Sequence, residues 1–278
     1  MEYRDVLNGR NRIEKKIGSH GFIALVDVMP RMVPVDATAD YAIVQAARVS
    51  YGQGTKTPSD DRTLIRYLMR HRHSTPFEMA EMKFHVSLPM FIARQWIRHR
   101  TANVNEYSAR YSVVPDTFWR PDEARAQGST TKQTGEGFAG QEAHDLLNTA
   151  LEKAESSYEE YESLIRSGVC REQARAILPV SAYTQWYWKC DLHNIFNFLS
   201  LRMDKHAQQE IRDYALAMFE MAKDIFPIAC EAFEDYRLGS VTLTRLEVEA
   251  LQNGSLKISS ENKRESDEWS NKKKTLGI

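Results

Sequence analysis

The sequence is poor in several features that would fix its class at once. Its three cysteines, Cys170, Cys190 and Cys230, have no Cys-x-x-Cys spacing among 278 residues. An odd number of widely spaced cysteines argues against a disulfide framework and against a zinc site, so free thiols are expected. No apolar run reaches the roughly 18 residues of a membrane span, and no apolar segment follows the N-terminus. We therefore predict a cytoplasmic protein without a membrane partner and without a bound metal.

The sequence also lacks an excess of charge of either sign. Its 37 Lys+Arg residues nearly balance its 38 Asp+Glu residues. This balance gives no general field that would attract nucleic acid, so an anion site has to be built locally. The hydrophobic share of 42% is typical of a globular domain. Length and composition predict one domain over residues 1–239 and a polar extension over 240–278, of which the last ~20 residues are frayed.

Strand and helix periodicities both occur along the chain. Apolar runs and alternating patterns predict strands over 22–29, 82–88 and 180–188. Helical patterns predict helices over 38–50, 59–70, 90–98, 141–166 and up to about 237, with Asp36 or Thr38 capping the first and Asp191 capping another. Residues 127–140 have no periodicity and are expected to form a surface loop. The mixture predicts an α+β fold, with a sheet partly covered by long helices.

The densest group of functional side chains lies between residues 95 and 111. Arg98-His99-Arg100 is followed by Ser108 and Arg110, in a helix end and the loop expected after it. Arginine presents a planar fork that suits phosphate oxygens, so a phosphorylated ligand fits this stretch. Cations at the end of a helix are also favoured by the helix dipole, so composition alone leaves both interpretations open.

The order of these residues resembles a known signature. Arg98-His99-Arg100, Asn105-Glu106, Ser108 and Arg110 match seven of the eight specified positions of the RHRxxSxNExSxR pattern of flavin-dependent thymidylate synthases. Asn103 stands where that pattern has serine. Further segments resemble the family in the same order between about residues 22 and 239, namely 47–50, 73–78, 175–179 and 197–208.

This resemblance implies the family's α+β fold and its reaction. The family converts dUMP to dTMP by reductive methylation, with FAD as cofactor, NADPH and methylenetetrahydrofolate as co-substrates, and no cysteine nucleophile. It also implies a homotetramer whose active sites are shared between subunits. By resemblance, the flavin site comprises Ser50, His73, Thr75, Arg98, His99, Arg100, Asn105, Glu106, Asp191, His193, Asn197 and His206. The dUMP site comprises Gln95, Arg98, Glu106, Ser108, Arg110, Arg175 and Arg202.

Arg202 is the candidate catalytic residue within this set. It stands in the block that activates uracil in the family, where a fixed guanidinium would stabilise the developing negative charge. Arg110, Arg175 and Ser108 suit the phosphate by charge and hydrogen bonding.

Two other classes of function stay open at this level. A cysteine-dependent methylase would need an activated thiol, for which Cys190 is the nearest candidate, but the neighbouring Asp191 would raise the pKa of that thiol. A non-catalytic nucleotide- or RNA-binding module would use the local arginines and aromatic residues, and the balanced charge argues against it.

Overall fold

A computed structural model describes residues 2–50, 60–129, 134–255 and 257–278. Two compact units follow one another along the chain, Met1–Phe233 and Glu234–Ile278. Every candidate site residue belongs to the first unit. The domain boundary predicted after residue 239 stays a prediction.

The first unit contains all the strands of the described chain. They are β1 (Tyr3–Asp5), β2 (Ile13–Ile17), β3 (Gly21–Met29), β4 (Met32–Pro34), β5 (Glu81–Pro89), β6 (Asn103–Glu106), β7 (Arg125–Gln127), β8 (Gly135–Phe138) and β9 (Tyr183–Asp191). Its helices are α1 (Tyr41–Arg48), α2 (Asp61–Arg70), α3 (Thr75–Glu78), α4 (Met90–Trp96), α5 (Gln141–Glu155), α6 (Ser157–Arg166), α7 (Arg171–Ala174), α8 (Leu192–Arg202), α9 (Gln209–Ile225) and α10 (Pro227–Phe233). A 3₁₀ turn, Arg175–Ile177, follows α7.

Five of these strands form one antiparallel sheet in the order β2-β3-β5-β9-β6. Along the central pair, β5 and β9, successive side chains point alternately to the buried and to the open face, as expected for a sheet with one covered side. Phe84 pairs with Trp188 on the buried face, whereas His85 pairs with Tyr187 on the open face. The mixed architecture confirms the predicted α+β class.

An aromatic cluster joins the buried face of the sheet to the helices. Trp96, the last residue of α4, is fully buried. Its ring lies 5.6 Å from Trp188 of β9, 4.7 Å from Phe198 of α8 and 6.0 Å from Tyr214 of α9. Burial of large aromatic side chains and their edge-to-face contacts stabilise such cores. The end of α4 is thereby held against the sheet.

The cap predicted for the first helix was wrong. The residue before α1 is Asp40, and its side chain makes no bond to the start of that helix. Asp40 instead accepts from the backbone N–H groups of Ile228 and Ala229, at the start of α10. Local capping signals do not reveal that a carboxylate will bind the backbone of a helix remote in sequence. The cap of α2 is Asp60, which accepts from Thr63 N, while the predicted Ser59 lies outside the described residues.

Several element boundaries differ from the prediction. The surface loop expected over 127–140 contains part of an antiparallel hairpin, β7 and β8, and its residues 130–133 lie outside the described chain. The loop expected after Arg100 contains β6, which pairs with β9. The single helix expected over 141–166 is divided at Ser156 into α5 and α6, and the last long helix is divided at Phe226 into α9 and α10. Local periodicity does not register these interruptions.

The second unit is helical. It contains a π-helical turn (Glu234–Leu238), α11 (Arg245–Gln252) and α12 (Lys263–Leu276). A capping box between Thr244 and Glu247 starts α11, and Lys272 of α12 donates to Glu247 over 2.9 and 3.0 Å. The frayed end that we expected is therefore helical here. Across the described ranges, no helix combines the length and the apolar character needed to cross a bilayer.

Candidate active site

The Arg-His-Arg segment begins two residues after the end of α4. The helix ends at Trp96, and the backbone N–H of His99 donates to the carbonyl of Trp96 over 3.0 Å. Arg98 and Arg100 are exposed, and His99 is half-buried. Within the described residues, neither of the two exposed guanidinium groups has a hydrogen bond or an ion pair, so both are available to an anion. The anchored tryptophan fixes where these three side chains emerge.

His99 and Arg202 meet at the end of α4. Arg202, the last residue of α8, donates from Nε to His99 Nε2 over 3.0 Å and from Nη2 to the backbone carbonyl of Gln95 over 3.5 Å. The side chain of Gln95 donates to the side chain of Gln208. We call Gln95, His99, Arg202 and Gln208 the Arg202 cluster. It brings together three predicted site residues from two helices and the segment between α4 and β6.

The Arg202 cluster is partly desolvated. Burial, and secondarily the charge of Arg202, lowers the pKa of His99 to about 4, so the imidazole is neutral near pH 7. Burial also lowers the pKa of Arg202, although an arginine remains protonated in proteins. A charged guanidinium thus lies against a neutral acceptor and a helix C-terminal carbonyl, without a carboxylate partner in the described chain.

A second group of predicted residues surrounds a cavity of 490 Å³. Glu106 of β6 and Arg175 line it, together with Glu172 of α7. The hydroxyl of Thr184 donates to Glu106 Oε1 over 2.7 Å, which fixes the carboxylate. Nearby in sequence, Arg110 pairs with Glu172 over 3.0 Å, and its backbone N–H donates to Ser108 Oγ over 3.4 Å. We call this space the Glu106 cavity.

A third group lies between α1, α2 and α3. Ser50, His73 and Thr75 line a cavity of 320 Å³, which we call the His73 cavity. Tyr67 also lines it, and its ring lies 5.8 Å from the ring of His73 in an edge-to-face arrangement. Aromatic rings and hydroxyl groups therefore share this wall.

The remaining predicted residues lie just before α8, on it or just after it, and on β6. Asp191 accepts from the backbone N–H of Asn194 over 2.9 Å, so it caps α8, as its sequence position predicts. Asn197 contacts His193 Nε2 over 3.3 Å, one helical turn away. His206 pairs with Asp204 over 2.8 Å. These contacts are local, and Asn105 lies exposed on β6 opposite Tyr187.

Known proteins resemble the chain over most of its length. A flavin-dependent thymidylate synthase of Dictyostelium discoideum is 56% identical to it over 279 residues, which cover 99% of this chain and 91% of that protein. The chain belongs to the flavin-dependent thymidylate synthase family. The family described as thymidylate synthase complementing protein matches residues 31–228, and a flavin-dependent thymidylate synthase of Thermus thermophilus is 50% identical over 84% of this chain and 82% of its own.

A solved structure agrees with this membership. The UMP/dUMP methylase PolB of Streptomyces cacaoi, crystallised with 5-Br UMP, superposes with a TM-score of 0.68 at 35% identity. The match covers 80% of this chain and 96% of that one. The predicted family and the prediction of an enzyme, a methyltransferase, are confirmed. The roles of individual residues stay predictions.

Four residues at these sites were not predicted from the sequence. They are Gln208 in the Arg202 cluster, Thr184 and Glu172 at the Glu106 cavity, and Tyr67 at the His73 cavity. Gln208 stands directly after the His206-Ala207 pair of a recognised block, which was a usable signal. The other three stand outside the blocks that resemble the family, and only folding brings them to the predicted residues.

The residues present fit the flavin that the family name implies. A flavin dinucleotide carries a pyrophosphate, which needs cations and hydrogen-bond donors, and ring systems, which pack on aromatic side chains. Arg98 and Arg100 are unpaired in the described chain, and the His73 cavity offers hydroxyl groups beside the rings of Tyr67 and His73. The donor set is therefore suited to the cofactor. Burial and then the charge of Asp191 raise the pKa of Cys190, so its thiol is not suited to nucleophilic attack, and the thiol of Cys230 is buried in the core.

Proposed function

We propose that the protein converts dUMP to dTMP, taking the one-carbon unit from methylenetetrahydrofolate and electrons from NADPH by way of bound FAD. Family membership supports the reaction class. The environment of Arg202 supports this chemistry most directly. Its guanidinium is a half-buried cation with no carboxylate partner in the described chain. A cytoplasmic location and the absence of nucleic-acid and membrane partners belong to the same proposal.

In this proposal Arg202 acts on the uracil ring. Methylation at C5 requires electron density at that carbon, which an anionic uracil supplies. A guanidinium fixed in a water-poor site stabilises such developing charge without having to reorganise during the reaction. Gln95 and Arg98 are the other proposed dUMP contacts from this side.

In the same proposal, a different set of residues binds the phosphate of dUMP. Arg110 and Arg175 offer guanidinium groups, and Ser108 offers a hydroxyl. Glu172, which now pairs with Arg110, is exposed and is easily replaced by a phosphate. Glu106, held by Thr184, contributes a fixed acceptor at the Glu106 cavity, which Arg175 also lines.

The proposed flavin site uses Ser50, His73 and Thr75, the Arg-His-Arg segment, and the α8 and β6 residues named by the resemblance. When bound, FAD supplies the hydride that completes the methyl group. The residues of this chain bind and orient it: cations and hydroxyl groups hold the pyrophosphate, and the wall of the His73 cavity receives a ring or ribose. At 320 Å³ that cavity holds only part of a dinucleotide.

We also propose a homotetramer with shared active sites. Three groups of predicted residues, at the Arg202 cluster, the Glu106 cavity and the His73 cavity, lie on separate parts of the first unit, and each group is suited to only part of the ligand set. A site assembled from several copies would use all three groups at once. Coexpression of Arg202→Ala with Arg110→Ala tests this, because mixed tetramers regain some sites with both arginines. A mixture with no more activity than the separate variants would contradict sharing.

The reaction itself is tested by anaerobic release of tritium from C5-labelled dUMP. Release should require FAD, NADPH and methylenetetrahydrofolate together, and dTMP should form in step. Each component is omitted in turn as the control. Release without flavin would point to a cysteine-dependent methylase, and nucleotide or RNA binding without release would point to a non-catalytic module.

A further inference from the structure

His99 contacts Arg202 through a ring nitrogen, in addition to its expected place at the flavin. Arg202 Nε donates to His99 Nε2 over 3.0 Å. We propose that His99 is a positioning residue, which holds the Arg202 guanidinium in the orientation that the uracil ring requires. This inference rests on the proposed function of Arg202 at dUMP.

The imidazole is placed by the aromatic core, independently of Arg202. Its ring packs edge-on against Phe198 at 4.9 Å, and Phe198 is fully buried against Trp96 at 4.7 Å. The backbone of His99 is tied to the carbonyl of Trp96. Phe198 and Arg202 stand four residues apart on α8, which puts them on one helix face. One packed surface therefore sets the positions of both partners.

The hydrogen bond requires a particular state of the ring. A guanidinium can only donate, so Nε2 of His99 accepts, and the ring proton resides on Nδ1. A protonated imidazole would lose this acceptor and repel Arg202. The depressed pKa of His99, caused by burial and then by Arg202, keeps the ring neutral near pH 7.

The contact also determines which donors of Arg202 are left for a ligand. A guanidinium has five N–H groups. One goes to His99 and one to the carbonyl of Gln95, so three are without a partner in the described part of the chain. Without the imidazole the guanidinium would gain rotamer freedom, and the orientation that stabilises a developing anion would be lost for part of the time.

Two substitutions distinguish the effect of the hydrogen-bond acceptor of His99 from the effect of its side-chain volume. His99→Leu keeps an apolar side chain of similar size but removes the acceptor, and His99→Gln retains an acceptor at the end of the side chain. His85→Leu is the matched control, because His85 Nδ1 lies 2.8 Å from Arg12 Nη1 on the open face of the sheet. The dUMP affinity and kcat of all three variants are measured with saturating FAD. Flavin content is read from absorbance, so that an effect on dUMP is distinguished from a loss of cofactor.

We expect His99→Leu to weaken dUMP binding and to lower kcat, each by about tenfold, since coupled neighbours interact at this level. His99→Gln should remain within about threefold of the parent protein for both quantities. His85→Leu should change neither. Equal losses for the leucine and glutamine variants would overturn the proposal, because the acceptor would then be irrelevant.

A double-mutant cycle tests whether His99 acts through Arg202. In an Arg202→Ala background, His99→Leu should cause no further loss of dUMP affinity. The same penalty in both backgrounds would mean that His99 acts on the ligands directly, and the positioning role would be wrong.

A readout free of substrate and flavin separates this inference from the proposed function. ¹⁵N spectra of the histidine side chains should give a neutral His99 with its proton on Nδ1 near pH 7, and Arg202→Ala should move the Nε2 signal. If the protein does not bind dUMP, the proposed function fails, but this spectrum still shows whether Arg202 donates to His99. An unchanged Nε2 signal in Arg202→Ala would overturn the positioning role.

Discussion

Arg202, proposed to act on the uracil ring, and Arg110, proposed to bind the phosphate, are held in opposite ways. Arg202 is half-buried, donates to a neutral imidazole and a backbone carbonyl, and has no carboxylate partner in the described residues. Arg110 is 56% exposed and pairs with Glu172, which is 53% exposed. The first arginine is fixed before any ligand arrives, and the second is held by an exchangeable surface pair.

This difference follows the chemistry proposed for each. A fixed, desolvated cation stabilises charge that appears only during reaction, and this is where preorganisation raises kcat. An exposed cation binds a phosphate that is charged throughout, so it contributes to affinity. The two regions should consequently respond differently to the same substitution.

The largest effect is expected for Arg202→Ala. Removing the fixed guanidinium should lower the rate of C5 tritium release by about 10²–10³-fold, with flavin still bound. The measurement is single-turnover tritium release at saturating dUMP, with absorbance to quantify flavin. A variant that loses affinity for dUMP but keeps its rate would place Arg202 with the binding arginines and remove the contrast.

Arg110→Ala should act mainly on affinity. Loss of charge-assisted bonds to phosphate costs about 1.5–3 kcal/mol, or about 10- to 150-fold in the dUMP dissociation constant, with little change in FAD binding. Isothermal calorimetry with each ligand measures both. Glu172→Gln is the matched control, and because exposed pairs contribute about 0–1 kcal/mol, it should alter dUMP affinity by less than about fivefold. Equal losses of dUMP and FAD affinity in Arg110→Ala would contradict the assignment.

The buried setting of His99 should appear as a pH dependence of stability. Its pKa lies at about 4 in the folded protein and near 6.5 in the unfolded chain. Between these values the unfolded chain binds the proton and the folded protein does not, so the free energy of unfolding falls as pH drops through this window. Denaturant unfolding at about pH 7 and about pH 4.5 should give a smaller loss for His99→Gln than for the parent. His85, whose pKa is also lowered by burial, is common to both proteins. Identical losses would mean that His99 is not desolvated in solution.

The smallest effect on turnover is expected when Cys170, Cys190 and Cys230 are replaced together by Ala. Cys190 and Cys230 are buried, and burial raises the pKa of Cys190, so no core thiol is set up as a nucleophile. Methylation should persist, with some loss of stability from the two core positions. Circular dichroism and flavin content establish that the variant is folded before its rate is compared. A folded, flavin-loaded variant without tritium release would support a cysteine mechanism.

The fold was predictable where the local sequence pattern alone set the structure, without a partner remote in sequence. The strand over 22–29 needed only a short apolar run and the cap at Asp191 only capping chemistry, and both occur. The failures have a common cause. Asp40 leaves α1 uncapped because α10 uses its carboxylate, and β6 exists because β9 pairs with it. In each case the partner is remote in sequence.

The sequence by itself determined the family, through ordered blocks of arginine, histidine and hydroxyl residues whose chemistry is visible without a fold. It also determined that no cysteine pattern is present for a disulfide framework. Only the tertiary structure decided which of these residues meet. His99 and Arg202 are 103 residues apart, and their contact depends on Trp96 and Phe198 packing between the end of α4 and the face of α8. A hydrogen bond of this kind is set by the close packing of a core, which local sequence patterns do not encode.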